Sequence, residues 1–303
     1  MAKVAVHGPP SARDPRYATG LLLVFLGFVA FSTGGVILRM IETRDGWAVL
    51  FWRSIPWLLS VGLYLAWRHG ALLRPVRTAG PLAFLVGACV TGAASGYIFG
   101  VQHTSVANVV FTFAATPFIA GLLGWLALGE RVAPRTMVAI GAGLAGVLVM
   151  VGDGLDGGSW LGNLFALAAA CSFATMLVLL RRAGRSDMLP GSLWGAIVSL
   201  AVGALLAGDL ALSAGDLFWC AAFGTVNMTL GLILLTQGAR YLPAAEAALL
   251  SLTESVLAPL WVWLAFAEMP GPLTLAGGAV VLVAVIWRVA GERPGQGGQP
   301  PAL

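Results

Sequence analysis

Charged residues make up only 10% of this 303-residue chain, 17 Lys and Arg with 13 Asp and Glu. A soluble globular protein carries roughly 25%, so the chain lacks the polar surface to cover a water-facing domain. Histidine is almost missing. His7, His69 and His103 all fall in tails or breaks between apolar runs, which leaves no buried base to activate a nucleophile. The three cysteines, Cys89, Cys171 and Cys220, each stand alone inside an apolar run. That excludes a disulfide framework and metal-ligand spacing such as CxxC, and leaves small core residues as their reading. There is no Walker A sequence, so ATP does not drive the protein directly. The net charge of +4 offers no basic face to track phosphates, so no nucleic acid partner is expected. No catalytic residues, metal or cofactor are expected either.

Long apolar runs are what the chain does have. Residues 19–38, 78–129, 157–180, 188–208 and 217–239 contain no charge. A membrane-spanning helix needs about 20 apolar residues. The run 78–129 would be about 78 Å long as one helix, so it must be two, broken at Gln102-His103-Thr104-Ser105. Turn signals and charges divide the chain into ten segments at 19–38, 47–67, 80–101, 106–128, 134–151, 160–180, 191–208, 217–237, 244–266 and 272–290. The fold class expected is an all-α integral membrane protein. The first run ends at Arg39 with no small-residue cleavage pattern, so it is read as a retained span rather than a signal peptide.

Basic residues set the orientation. Counting gaps alternately from the N-terminus puts 14 of the 17 Lys and Arg on one side, among them Arg68, Arg74, Arg131, Arg181 and Arg240. The other side holds Arg39, Arg44 and the intramembrane Arg53 together with Glu42, Asp45, Asp153, Asp209, Asp216 and Glu268. Both termini are therefore expected in the cytoplasm and the protein in the cell inner membrane. Residues 1–18 form a cytoplasmic tail. Residues 291–303, GERPGQGGQPPAL, are too poor in apolar side chains to fold.

The second half repeats the first. Gly20–Arg39 lies ungapped on Gly162–Arg181, pairing Phe31 with Phe173 and Thr33 with Thr175. Ala107 pairs with Ala245, Trp125 with Trp263, Glu130 with Glu268 and Pro134 with Pro272. Each repeat, 19–152 and 153–290, holds five spans, and an odd number forces the second to insert upside down. Inverted repeats are a device of secondary transporters, with substrate near the midplane where the repeats meet. The stretch Ala107–Met150, with Pro117, Leu128-Gly129-Glu130-Arg131 and Gly141, Gly143 and Gly146, resembles the EamA repeat of the drug/metabolite transporter superfamily. In the second copy Ala267-Glu268-Met269 replaces Gly-Glu-Arg and the proline, Pro259, is shifted. Phe31-Ser32-Thr33-Gly34-Gly35 with Arg39, followed by Leu50-Phe51-Trp52-Arg53, is similar to the YddG-type amino-acid exporters. The resemblance implies ten helices around a central cavity lined by the first, third, fourth, sixth, eighth and ninth. It implies export of amino acids, aromatic ones included, by a chain for which a monomer suffices.

Polar residues in hydrocarbon usually face the bundle interior or a water-filled cavity. Asn108, Thr112 and Thr116 fall at i, i+4 and i+8, one polar stripe on the fourth span. The repeat maps Asn108 onto Glu246 and Thr116 onto Glu254. With Phe31, Thr33, Tyr97, Thr175 and Asn227, these are the candidate substrate-binding residues. Thr112 and Thr116 could equally serve helix packing. Glu254 lies roughly 16 Å into its span, where a carboxylate must be paired, hydrated or protonated. It is either a structural group, paired with Arg53 or bonded to Asn227, or a ligand for a substrate ammonium or a proton carrier. Glu246 and His103 are further candidates for coupling. Arg39 and Arg53 near the outer surface are explained by snorkelling, with Glu42 and Asp45 at hand. Gly92, Gly96 and Gly100 form a GxxxGxxxG series that lets helices approach closely. The alternative substrate class is a drug or another metabolite such as a nucleotide sugar. The first span carries no acid, unlike small multidrug transporters of the same superfamily, whose coupling chemistry is therefore not expected. A membrane-embedded enzyme is the remote alternative, since no nucleophile–base pair or carboxylate dyad is present.

Overall fold

The computed structural model describes residues 15–69, 80–128, 134–156, 159–182, 189–242, 246–247 and 250–290. Every regular element among them is helical. The first repeat contains α1 (Pro15–Ser32), α2 (Gly34–Arg39), α3 (Gly46–His69), α4 (Gly80–His103), α5 (Val106–Ala114), α6 (Thr116–Leu128) and α7 (Pro134–Asp156). The second contains α8 (Trp160–Arg182), α9 (Leu189–Leu206), α10 (Ala214–Ala222), a π-helical turn Phe223–Leu230, α11 (Gly231–Gly238), α12 (Leu252–Phe266) and α13 (Pro272–Ala290). Six helical stretches are long and apolar enough to cross a membrane, and four shorter apolar helices accompany them. The tails at 1–14 and 291–303, and Glu130 and Arg131 of the repeat motif, lie outside the described residues.

Glycines set which helices touch. On α4 a Cβ at Gly96 would stand 2.8 Å from the Phe165 carbonyl of α8, and one at Gly92 would stand 2.9 Å from Ser172 Oγ. The GxxxGxxxG series is thus a packing face, and Gly100 continues it against Ala166 and Val109. Helices α7 and α13 meet backbone to backbone. A Cβ at Gly146 would lie 2.7 Å from the Gly277 carbonyl and one at Gly277 would lie 2.5 Å from the Gly146 carbonyl. Helix α3 packs on α9, α1 on α11 and α12, and α8 on α6.

The break anticipated at Gln102–Ser105 is present. Helix α4 ends at His103 and Ser105 caps α5, its hydroxyl accepting the Asn108 N–H at 3.2 Å. Three spans expected as regular α-helix depart from it. The first is interrupted at Thr33 between α1 and α2, the fourth at Ala115 between α5 and α6, and the eighth is wound as a π-helix through Phe223–Leu230. In the ninth, regular helix restarts at Leu252 after a turn at Ser251. The cause at Ala115 is local. Pro117 has no N–H to give the Phe113 carbonyl four residues back, and the Thr116 hydroxyl takes that carbonyl at 2.5 Å.

At the surface between α2 and α3, Asp45 ties the two halves together. Its Oδ1 accepts the N–H of Trp47 at 2.9 Å and of Ala48 at 3.2 Å, capping α3, and its Oδ2 accepts that of Gly208 at 2.8 Å. Burial pushes this carboxyl up, but the N–H groups of Gly208, Ala48 and Trp47 outweigh it and hold it below its ordinary value of 3.8. A lowered carboxyl contributes stability that is complete above the unfolded value and is lost as pH falls through the folded one. Melting of the purified protein between pH 6 and pH 2 should therefore show an acid limb that Asp45→Asn flattens. Asp45→Ala should cost about 1 kcal/mol at neutral pH, the usual worth of a helix cap.

Candidate functional site

The interrupted helices converge. At the Thr33 break the Ala30 and Phe31 carbonyls are exposed to partners from the other repeat, and Asn227 of the π-helical turn donates to both, at 3.2 and 2.7 Å. The π-helix has its own support, since the Thr229 hydroxyl bonds the Gly224 carbonyl five residues back at 2.9 Å. Gly34 is needed at this spot because a Cβ there would lie 2.8 Å from Asn227 Nδ2 and 3.3 Å from the Tyr97 hydroxyl. Tyr97 stands edge-on to Phe113, with centroids 6.4 Å apart, and Phe113 lies 5.4 Å from Phe173. Tyr97 is also in electrostatic reach of Glu254 and Arg39. Phe31 is half-buried beside Gly231 and Phe28. Tyr97, Phe113 and Phe173 thus form an aromatic group drawn from the third, fourth and sixth spans, with Asn227 beside it across Gly34 and Glu254 in electrostatic reach of Tyr97.

Glu254 sits in the first turn of α12, where the helix dipole favours a negative charge. Neither structural partner considered from sequence holds it. Asn227 is committed to the α1 carbonyls, and Arg53 makes no ion pair with it. Among the described residues the only ion pair is Arg39 with Glu268.

The polar stripe of the fourth span divides by role. Asn108 is buried and donates to Asn163 of α8 and to the Thr104 hydroxyl. Thr116 closes the Ala115 break as described, and Thr112 is 1% exposed beside that break. Thr33, like Thr116, bonds back across the break in its own span, to the Ala30 carbonyl at 2.7 Å. Thr175 stands apart. Helix α8 runs unbroken where its repeat mate is interrupted, so Thr175 points about 200° round the helix from Phe173. It shares an exposed stripe with Leu164 and Ala168, and its hydroxyl bonds the Cys171 carbonyl. His103 is exposed at the end of α4, bonded to the Phe99 carbonyl and away from the aromatic group.

Arg39 corrects an expectation. Its partner is neither Glu42 nor Asp45 but Glu268, 229 residues away. Arg39 Nε lies 2.9 Å from Glu268 Oε2, Nη2 donates to Oε1 at 3.2 Å, and Nη2 also reaches the Thr104 carbonyl at 2.9 Å. The Nε approach is ionic without hydrogen-bond alignment. Glu268 Oε1 accepts the Val106 N–H as well, at 3.0 Å. The same separation recurs twice. Trp261 Nε1 donates to Ser32 Oγ at 2.9 Å, and the Tyr17 hydroxyl donates to Glu246 at 2.6 Å, each pair again 229 residues apart. The first and ninth spans thus lie parallel and in register, with one polar rung at each end and one between them, nearer the Arg39 end. Glu246 enters this ladder, and sequence reasoning missed Trp261, Tyr17 and Asn163. Trp261 was discoverable, since it lies two helical turns from Glu254 on the same face.

A family model described as the EamA-like transporter family matches residues 18–152 and again 160–289. A riboflavin transporter of Rhizobium johnstonii is 26% identical over 300 residues, covering 91% of this chain and 93% of its own. The pseudopaline exporter CntI of Pseudomonas aeruginosa is 26% identical over 282 residues, 88% of this chain and 95% of that one. An uncharacterized transporter of Archaeoglobus fulgidus is 29% identical over 197 residues, 64% of this chain and 72% of that one. A crystal structure of a protein 17% identical superposes with a TM-score of 0.63 over 89% of this chain and 96% of its own, a likeness of fold.

Proposed function

The chain belongs to the EamA-like transporter family, and from that premise we propose that it is an inner-membrane exporter of amino acids with neutral or aromatic side chains, working by alternating access. In this reading ten spans form two inverted repeats, 19–152 and 153–290, and both termini are cytoplasmic. Packing supports the inversion. Replacing each span by its counterpart in the other repeat turns the α4–α8 contact into that of α11 with α1, and the α6–α8 contact into that of α12 with α1.

The observation that carries the mechanism is the ladder between the first and ninth spans. These spans come from different repeats, and polar rungs at both ends hold them together around a middle where helices are interrupted. Opening the Arg39–Glu268 rung while keeping Tyr17–Glu246 exposes the middle to one side, and the reverse exposes it to the other. The aromatic group of Tyr97, Phe113 and Phe173 supplies a wall for an apolar side chain, and Glu254, which has no structural partner among the described residues, supplies an anchor for an ammonium. Relatives named for riboflavin and pseudopaline favour a second reading, export of a different small metabolite through the same aromatic site.

Counterflow in proteoliposomes with a mixed pool of labelled amino acids and cationic drugs tests the substrate. Saturable exchange of phenylalanine or another neutral amino acid is expected, and exchange of drugs alone would overturn it. In whole cells a single cysteine at exposed Asp209, in a background without Cys89, Cys171 and Cys220, should react with an impermeant thiol reagent. Protection there with reaction at Ser186 would reverse the orientation.

A further inference from the structure

Arg53 is buried to 1% exposure, about 10 Å below the end of α3. Its guanidinium carbon lies 5.5 Å from the Trp57 ring and 5.0 Å from the Phe223 ring. Two aromatic rings thus lie within cation–π distance of the guanidinium. Cation–π contacts do not satisfy N–H donors. Among the described residues, Arg53 Nε and Nη2 are buried and have no hydrogen-bond partner. These two nitrogens form one edge of the guanidinium, the edge that grips a carboxylate with two parallel hydrogen bonds. A desolvated cation with an empty fork is costly, and the backbone around it is closely packed. Gly224 of the π-helical turn is pressed against the Arg53 carbonyl and Pro56, where any Cβ would collide. Asp216 lies near Cys220, as Arg53 does, but its carboxylate accepts the Glu42 N–H at 2.8 Å.

We propose that Arg53 is the carboxylate anchor of the transport site, its Nε–Nη2 edge taking the substrate carboxylate between the Trp57 and Phe223 rings. The inference rests on the transporter reading and gives it a chemical class: organic carboxylates with an apolar body. Arg53 belongs to the first repeat and its Phe223 wall to the second, so rocking of the repeats opens this contact to substrate and recloses it on the bound anion.

The test uses the purified full-length protein, with binding read by tryptophan fluorescence and thermal melting. The probes are L-phenylalanine against L-phenylalaninamide, and benzoate against benzamide. Wild type should prefer each carboxylate over its amide by tenfold or more. Arg53→Gln should erase that preference. Arg53→Lys, which keeps the charge and loses the fork, should retain a small part of it. Wild type that binds each carboxylate no better than its amide, or an Arg53→Gln protein that still discriminates, would overturn the proposal. A purely structural cation would instead lower the unliganded melting temperature in Arg53→Gln with no change in discrimination. The two readings fail separately: if no amino acid is exchanged in counterflow, the amino-acid reading falls, while benzoate against benzamide still decides the role of Arg53.

Discussion

Glu254→Gln should abolish most transport while leaving the protein as stable as wild type. The carboxyl lies at the start of α12, in electrostatic reach of Tyr97; Asn227 is bonded to the α1 carbonyls, and Arg53 makes no ion pair with it. Glutamine keeps the volume and accepts hydrogen bonds, so nothing in the packing is lost, and the change in stability should stay within about 1 kcal/mol. Counterflow of a zwitterionic amino acid should fall tenfold or more, because a charge-assisted contact to an ammonium inside a bilayer is replaced by a neutral one. Comparing substrates with and without the ammonium separates binding from proton carriage. Loss confined to zwitterions assigns Glu254 to the substrate, whereas lost response to a pH gradient with intact exchange assigns it to a proton. Full transport and pH response in a stable Glu254→Gln protein would remove both roles.

Glu268→Gln should tip the protein toward the state open on the side of Arg39. The mutation removes the ion pair to Arg39 and weakens the acceptor of the Val106 N–H. The pair is about one-quarter exposed, with side-chain exposures of 27% and 25%, so screening limits it to about 1 kcal/mol. That is roughly a fivefold change in population. A cysteine at half-buried Phe113, in the cysteine-free background, should then react several-fold faster with an impermeant reagent added outside. Tyr17→Phe, which removes the donor at the other end, should slow the same reaction. The exchange Arg39→Glu with Glu268→Arg should restore only part of the closure, because a glutamate at 39 cannot donate to the Thr104 carbonyl. Unchanged reactivity in both single variants would mean that the rungs are packing contacts and not gates.

Features that a single segment encodes by itself are legible in the sequence. The apolar runs, the Gln102–Ser105 break and the glycine face of α4 are all local, and each was found at its place. The helix interruptions were harder. Pro117 was visible, but its effect at Ala115 depends on Thr116 taking the orphaned carbonyl. Nothing in Phe31–Gly35 alone shows that Asn227 completes the break at Thr33. Thr33 and Thr175 match in the repeat but not in surroundings: Thr33 stands at the break between α1 and α2, whereas Thr175 lies on the exposed stripe of the unbroken α8. Arg39 misled for a related reason. Its sequence neighbours Glu42 and Asp45 were the obvious counter-ions, yet Asp45 caps α3 and the Glu42 N–H is held by Asp216. Pairing across 229 residues leaves no local trace.

That constant separation makes the lengths of two distant segments interdependent. A residue inserted between Tyr17 and Ser32 would advance Ser32 and Arg39 by about 1.5 Å and swing them by about 100°. Trp261 and Glu268 would then face empty positions while Tyr17 still met Glu246. A matching insertion between Glu246 and Trp261 would bring all the partners level again. The two segments can therefore lengthen or shorten only as a couple, and a single deletion in either would leave a chain that folds helix by helix but no longer closes at both ends.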